Sequence, residues 1–129
     1  MDTNSSHLHK TIMIVDDELF FRKLLRDIIE EAGFTVVAEA VDGIEAVESF
    51  CLYRPEITIM DIYMPGKNGI DAMKEILTLD KNAKVLICSG SGYDEDVEFA
   101  FKVGAKDAIL KPFIRKEVTD IIKKVMSEK

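Results

Sequence analysis

The sequence predicts an α/β domain in which five parallel strands form a sheet with helices on both faces. Two observations carry this prediction. From Thr11 onward, short apolar runs alternate five times with longer segments of helical periodicity, the pattern of strand–helix–strand units. Most of these runs are continuous Ile, Val, Leu and Met rather than alternating, as strands buried on both faces require. The length of 129 residues suits a single core and leaves no room for a second domain.

The apolar runs place strands at residues 11–15, 35–40, 57–60, 84–88 and 108–110, and the mixed composition of the second puts it at an edge of the sheet. In the first helix, Phe21, Leu24, Leu25, Ile28 and Ala32 recur at helical spacing, and Gly33 supplies a left-handed stop. Val47, Phe50 and Cys51 mark the second helix, which ends before Pro55. The third carries Ile70, Met73, Ile76 and Leu77, with Asn68 as its cap. The fourth carries Val97, Ala100 and Phe101 and stops at Gly104. Val118, Ile121, Ile122, Val125 and Met126 give the last helix the clearest apolar stripe. No repeat, low-complexity tract or linker interrupts the series. Residues 1–9 read as a disordered tail and 10–129 as the folded domain.

Composition narrows the function. Apolar residues make up 47% of the chain and charged residues 32%, an ordinary globular balance. With 24 acidic against 17 basic side chains the net charge is -7, which opposes direct binding to nucleic acid or anionic lipid. No apolar run approaches the roughly 18 residues of a membrane span. Met1 to Lys10 is polar where a secretory signal would be apolar, so the expectation is a soluble, cytoplasmic protein. Cys51 and Cys88 lack the short paired spacing of a zinc or dithiol site and read as small core residues. His7 and His9 form an HxH pair, but in a stretch that reads as a frayed tail.

In open parallel sheets ligands bind beyond the carboxyl ends of the strands. Here those ends are polar: Asp16 and Asp17 follow the first strand, Asp61 the third, Ser89 the fourth and Lys111 the fifth. Three carboxylates gathered at one edge raise one another's pKa values unless a cation intervenes. Hard oxygen donors with room for water and a phosphate oxygen suit Mg2+. Phosphoryl transfer then needs an in-line nucleophile and positive charge against the equatorial oxygens, which Asp61, Mg2+ and Lys111 can supply. Asp61 stands alone at the end of the central strand and is assigned as the nucleophile, with Asp16 and Asp17 as metal holders and Ser89 as a hydrogen-bond donor to the transferred group.

Each residue has a plainer alternative. Asp16 or Asp17 can cap a helix, Ser89 to Gly92 can be turn chemistry, and Lys111 can be a solvated lysine before Pro112. Four such coincidences at the same strand ends would have to occur together. Neither the SGSG run at Ser89 to Gly92 nor PGKNG at Pro65 to Gly69 matches a nucleotide-binding loop. A Ser–His–Asp triad is excluded because the histidines lie only in the tail.

IVDD at Ile14 to Asp17, MDIYMPGKNG at Met60 to Gly69, CSG at Cys88 to Gly90 and LKPF at Leu110 to Phe113 resemble the receiver family of bacterial response regulators. The likeness runs from about Lys10 to Met126 and is nearest to the single-domain, CheY-like form. It implies strand order 2-1-3-4-5, Asp61 as phosphoacceptor, and Mg2+ on Asp17, Asp61 and the backbone carbonyl of Tyr63, with Asp16 acting mainly through water. It also implies Ser89 as the switch residue, Lys111 as the partner of the phosphoryl group, and a cis Lys111–Pro112 bond. The phosphate would come from a histidine kinase, a phosphotransfer protein or a small acyl phosphate. A downstream protein would bind the face made by helix four, strand five and helix five, and the domain would be a monomer or a phosphorylation-dependent dimer.

One departure from the family is Ala108, three residues before Lys111, where many members carry an aromatic that swings inward. Tyr93 and Phe113 are candidate substitutes. Tyr63 and Ser91 occupy positions where the family tunes phosphate lifetime. The rival readings are an interaction module that signals without phosphorylation, opposed by the intact Asp16, Asp17, Asp61, Ser89 and Lys111, and a haloacid-dehalogenase-type phosphatase, whose DxDxT motif is missing. The expectation is a signalling domain and not a turnover enzyme.

Overall fold

The computed structural model describes residues 10–90 and 95–128. The expected disordered tail, the His7 and His9 pair, Ser91 and Tyr93 lie outside the described residues. In chain order the elements are β1 (Thr11–Val15), α1 (Leu19–Glu31), β2 (Thr35–Ala40), α2 (Gly43–Tyr53), β3 (Ile57–Asp61), α3 (Gly69–Leu79), β4 (Lys84–Ser89), α4 (Glu95–Val103), β5 (Asp107–Leu110) and α5 (Arg115–Ser127). All pairings are parallel, and the order is β2-β1-β3-β4-β5, as expected.

The period-two alternation of the buried strands sends their side chains into two cores. Met13, Val15, Met60, Val85 and Ile87 face α2, α3 and α4, meeting Phe50, Met73, Ile76 and Val97. Ile12, Ile14, Ile59, Leu86 and Cys88 face α1 and α5, meeting Leu25, Ile28, Ile29, Val118, Ile122 and Val125. Since β3 and β4 are buried along their whole length, each fully covered Ile or Leu contributes about 1.5–3 kcal/mol, which explains the continuous apolar runs. β2 is a sheet edge, and its residues are largely half-buried.

Local signals end the helices where expected. Gly33 (φ 93°) and Gly104 (φ 135°) take left-handed conformations that a side chain would strain. Asn68 caps α3 by accepting from the Asp71 N–H at 2.9 Å, and Asp42 caps α2 by accepting from Glu45 at 2.8 Å. Three readings are corrected. Cys51 is exposed, because its position on α2 points away from the sheet beside Leu52; Cys88 alone is a core thiol. Phe101 is 43% exposed, since Val97 and Ala100 already fill the contact of the short α4 with the sheet. β3 and β4 each extend one residue further than the apolar run, taking in Asp61 and Ser89.

Candidate functional site

Register alone brings the polar strand ends to one level. Val15 pairs with Met60, so Asp16 and Asp61 follow side by side; Asp61 pairs with Cys88, and Ser89 pairs with Leu110, just before Lys111. The Lys111 backbone N–H donates to the Ser89 carbonyl at 2.9 Å, extending the ladder one step. The Lys111–Pro112 bond is cis.

Within this edge, Lys111 Nζ lies 3.0 Å from Asp16 Oδ2 and 3.5 Å from Asp61 Oδ2. Asp16, Asp61 and Ser89 are 1%, 5% and 2% exposed, so two carboxyl groups and a hydroxyl are buried here and do not form a solvated rim. Asp61 Oδ1 accepts from the Tyr63 N–H at 3.3 Å. Asp16 Oδ1 accepts from the Glu18 N–H at 2.8 Å, which turns the chain into α1; Glu18 itself holds the N-cap position without a side-chain cap. The capping alternative for Asp16 is thus only partly met. Asp16 Oδ2 faces the ammonium at ion-pair distance but without hydrogen-bond angles, so it remains a buried oxygen without a hydrogen-bond partner.

Electrostatics follow from this crowding. Burial, with Asp16 adding to it, pushes Asp61 up to about 6 against the opposing pull of Lys111 and the Tyr63 N–H. Burial draws Lys111 down, but Asp16 and Asp61 outweigh it and hold the ammonium above its ordinary value. Burial likewise pushes the Cys88 thiol up, leaving it protonated and inert.

The donor set fits a divalent cation. Carboxylate oxygens of Asp16, Asp17 and Glu18 lie within 4.8 Å of one another, and Asp16 Oδ2, though at ion-pair distance from Lys111, accepts no hydrogen bond. These are hard ligands whose mutual repulsion an ion would relieve. Of the expected residues, Asp16, Asp61 and Lys111 meet directly, Asp17 stands in the trio with Asp16 and Glu18, and Ser89 ends the neighbouring strand.

Sequence patterning did not single out four neighbours of this site. Glu18 completes a visible Asp–Asp–Glu run. Arg22 donates from Nη1 to the Asp16 carbonyl at 2.7 Å and from Nε to Glu39 at 3.0 Å, bracing the end of β1 against β2. Phe21 lies under Lys111, and Gly69 lies against the Asp61 backbone. Nothing in their local sequence distinguishes Arg22 or Phe21 from ordinary helix residues, and Gly69, which closes the MDIYMPGKNG motif, gives no sign there of its approach to Asp61. The Tyr63 hydroxyl donates to Asp96 Oδ2 at 2.6 Å, tying the loop after β3 to the first turn of α4. Ala108 is half-buried on β5, and Phe113 packs against the second core and edge-on to Phe21.

A family profile described as the response regulator receiver domain matches residues 12–123. The chain is 49% identical over 116 residues to the chemotaxis protein CheY of Thermotoga maritima, covering 90% of this chain and 97% of that protein. It is 43% identical over 116 residues to the CheY of Bacillus subtilis, with the same coverage of 90% and 97%. Among solved structures, the CheX–CheY–BeF3–Mg2+ complex from Borrelia burgdorferi aligns with a TM-score of 0.87 at 34% identity, over 92% of this chain and 90% of that one. No helix among the described residues is long and apolar enough to cross a membrane. Fold and relatives agree, and the chain belongs to the response regulator receiver domain family, the CheY-like signalling domains of two-component systems.

Proposed function

We propose that Asp61 is the phosphoacceptor of this domain and that its modification switches binding to a partner protein. The observation that carries this reading is the ammonium of Lys111 held 3.0 Å from Asp16 and 3.5 Å from Asp61 in a buried acidic edge. A carboxylate oxygen of Asp61 attacks the phosphorus of a phosphohistidine on a histidine kinase or phosphotransfer protein, or of a small acyl phosphate. A P–O bond to Asp61 forms as the donor's P–N or P–O bond breaks, and the electron pair leaves with the donor. The product is a mixed anhydride. Lys111 opposes the charge on the phosphoryl oxygens, and the Ser89 hydroxyl donates to one of them.

Asp17, Asp61 and the backbone carbonyl of Tyr63 would hold Mg2+, with Asp16 acting mainly through water and Glu18 adding a nearby carboxylate. When bound, the ion supplies positive charge against the phosphoryl oxygens and relieves repulsion among the carboxylates. The receiver unit is taken as residues 10–129.

The new charge, roughly 1.5–2 units by analogy with other phosphates, draws Ser89 and Lys111 and biases an existing equilibrium of the domain. The face of α4, β5 and α5, where Phe101 and Leu110 are exposed, is then the surface a downstream protein reads.

The test is incubation with acetyl phosphate and Mg2+ followed by mass spectrometry. Wild type should gain one phosphoryl group and Asp61→Ala none; equal incorporation in both sinks the reading. Tyr63 adjoins the acceptor through its N–H and is held by Asp96 at its hydroxyl. With the ring screening the anhydride from water, Tyr63→Ala is expected to lose its phosphate several times faster than wild type, and an unchanged lifetime excludes that screening.

A further inference from the structure

Lys111 has a third close neighbour besides its two carboxylates. Its Nζ lies 4.1 Å from the centroid of the Phe21 ring on α1. At that distance the negative face of the ring attracts an ammonium, and more strongly where water is excluded. The Lys111 side chain is only 14% exposed. A lysine has a flexible four-carbon stem, so its ammonium needs such contacts to stay in one place.

The ring is itself held on two sides. Phe113 packs edge-on to it at 5.5 Å and 76°, and Phe20 at 5.4 Å and 73°. Phe113 stands two residues beyond Lys111, so the contacts close a circuit from the Lys111 backbone through Phe113 and Phe21 back to Nζ. The other end of the lysine is tethered by its N–H to Ser89. Position 108, where this chain has Ala108, takes no part in the circuit.

We propose that Phe21 is a positioning residue for Lys111: the face of its ring, and not merely its bulk, keeps the ammonium against Asp16 and Asp61 and so sets how fast Asp61 takes a phosphoryl group. This rests on the reading of Asp61 as phosphoacceptor. An aliphatic side chain of similar size would fill the same space but offer the ammonium no electrostatic partner. Nζ would then be less confined, and fewer collisions with a phosphodonor would find it in place.

The experiment replaces Phe21 in the full chain with a series of progressively fluorinated phenylalanines, which nearly preserve the ring's shape while draining negative charge from its face. With acetyl phosphate and Mg2+, the phosphorylation rate is expected to fall stepwise, by about fivefold at the most fluorinated end, while the thermal midpoint stays constant. Phe21→Leu should match that end of the series. In NMR spectra of the wild type, the ε-protons of Lys111 should lie upfield of ordinary lysines because of the ring current, and return to the ordinary position in Phe21→Leu. A flat rate across the series in a protein that is phosphorylated at Asp61, or unshifted Lys111 ε-protons, overturns the role of Phe21 and leaves the phosphoacceptor reading intact. Incorporation that survives in Asp61→Ala overturns the phosphoacceptor reading and this inference with it.

Discussion

Asp61→Asn is expected to lose phosphoryl incorporation entirely and yet to be more stable than wild type at neutral pH in metal-free buffer, by about 2–3 kcal/mol. Folding buries the Asp61 carboxyl and pushes it up to about 6, well above the range of an unfolded aspartate. The native state therefore binds this proton more tightly than the unfolded state. Wild-type stability should fall as pH rises from about 4 to about 6, and the full cost of ionising Asp61 is present above that window. Asparagine removes the cost, so its advantage should be complete at pH 7 and vanish below about pH 4. Urea unfolding of both proteins at the two pH values, with chelator present, measures the difference. An Asn variant less stable at pH 7 would mean that attraction to Lys111 outweighs burial. Added Mg2+ should stabilise wild type more than the variant, since ligand binding to the native state adds to stability by mass action.

Gly69→Ala is expected to damage both fold and site. A Cβ built on Gly69 would lie 2.0 Å from the Asp61 carbonyl oxygen, 2.9 Å from the Asp61 carbonyl carbon and 3.0 Å from Ile62 Cα. All three are backbone atoms at the end of the buried β3, so none can turn aside as a flexible side chain would. Gly69 also donates its N–H to the Ile62 carbonyl at 2.9 Å, which holds the start of α3 against this strand end. Overpacking of this kind costs about 3 kcal/mol, or more where backbone must move. The displaced atoms belong to the proposed acceptor itself. If the variant folds, its phosphorylation rate should drop on the order of 100-fold, because small misplacements of a reacting group are that costly. Gly90→Ala, where an added Cβ meets nothing within 4 Å, is the stability control. Equal urea midpoints for the Gly69 and Gly90 variants would refute the close approach.

Much of this molecule is legible in its sequence. A strand covered on both faces must be apolar at successive positions, so β1, β3 and β4 announce themselves as runs, and the mixed β2 declares itself an edge. Parallel strands also present all their carboxyl ends to one side, which is why Asp16, Asp61, Ser89 and Lys111 stood out as a group. Cys51 and Phe101 were misread for a related reason. Helical spacing marks a stripe, but a short helix on a sheet buries only the centre of it.

Sequence by itself thus determined the order of elements, the edge at which chemistry gathers and the residue types present there. Tertiary structure alone decided that Lys111 stands between Asp16 and Asp61 over the Phe21 ring, that Arg22 holds the Asp16 carbonyl, and that Gly69 is pressed to the Asp61 backbone. The physical reason is range. Burial period and turn chemistry are set by neighbours a few positions apart, whereas the Lys111 contacts join residues tens of positions apart. Even the shorter-range contacts of Arg22 and Gly69 reach from a helix back to a strand end, so their geometry is the summed outcome of strand register and two packed cores.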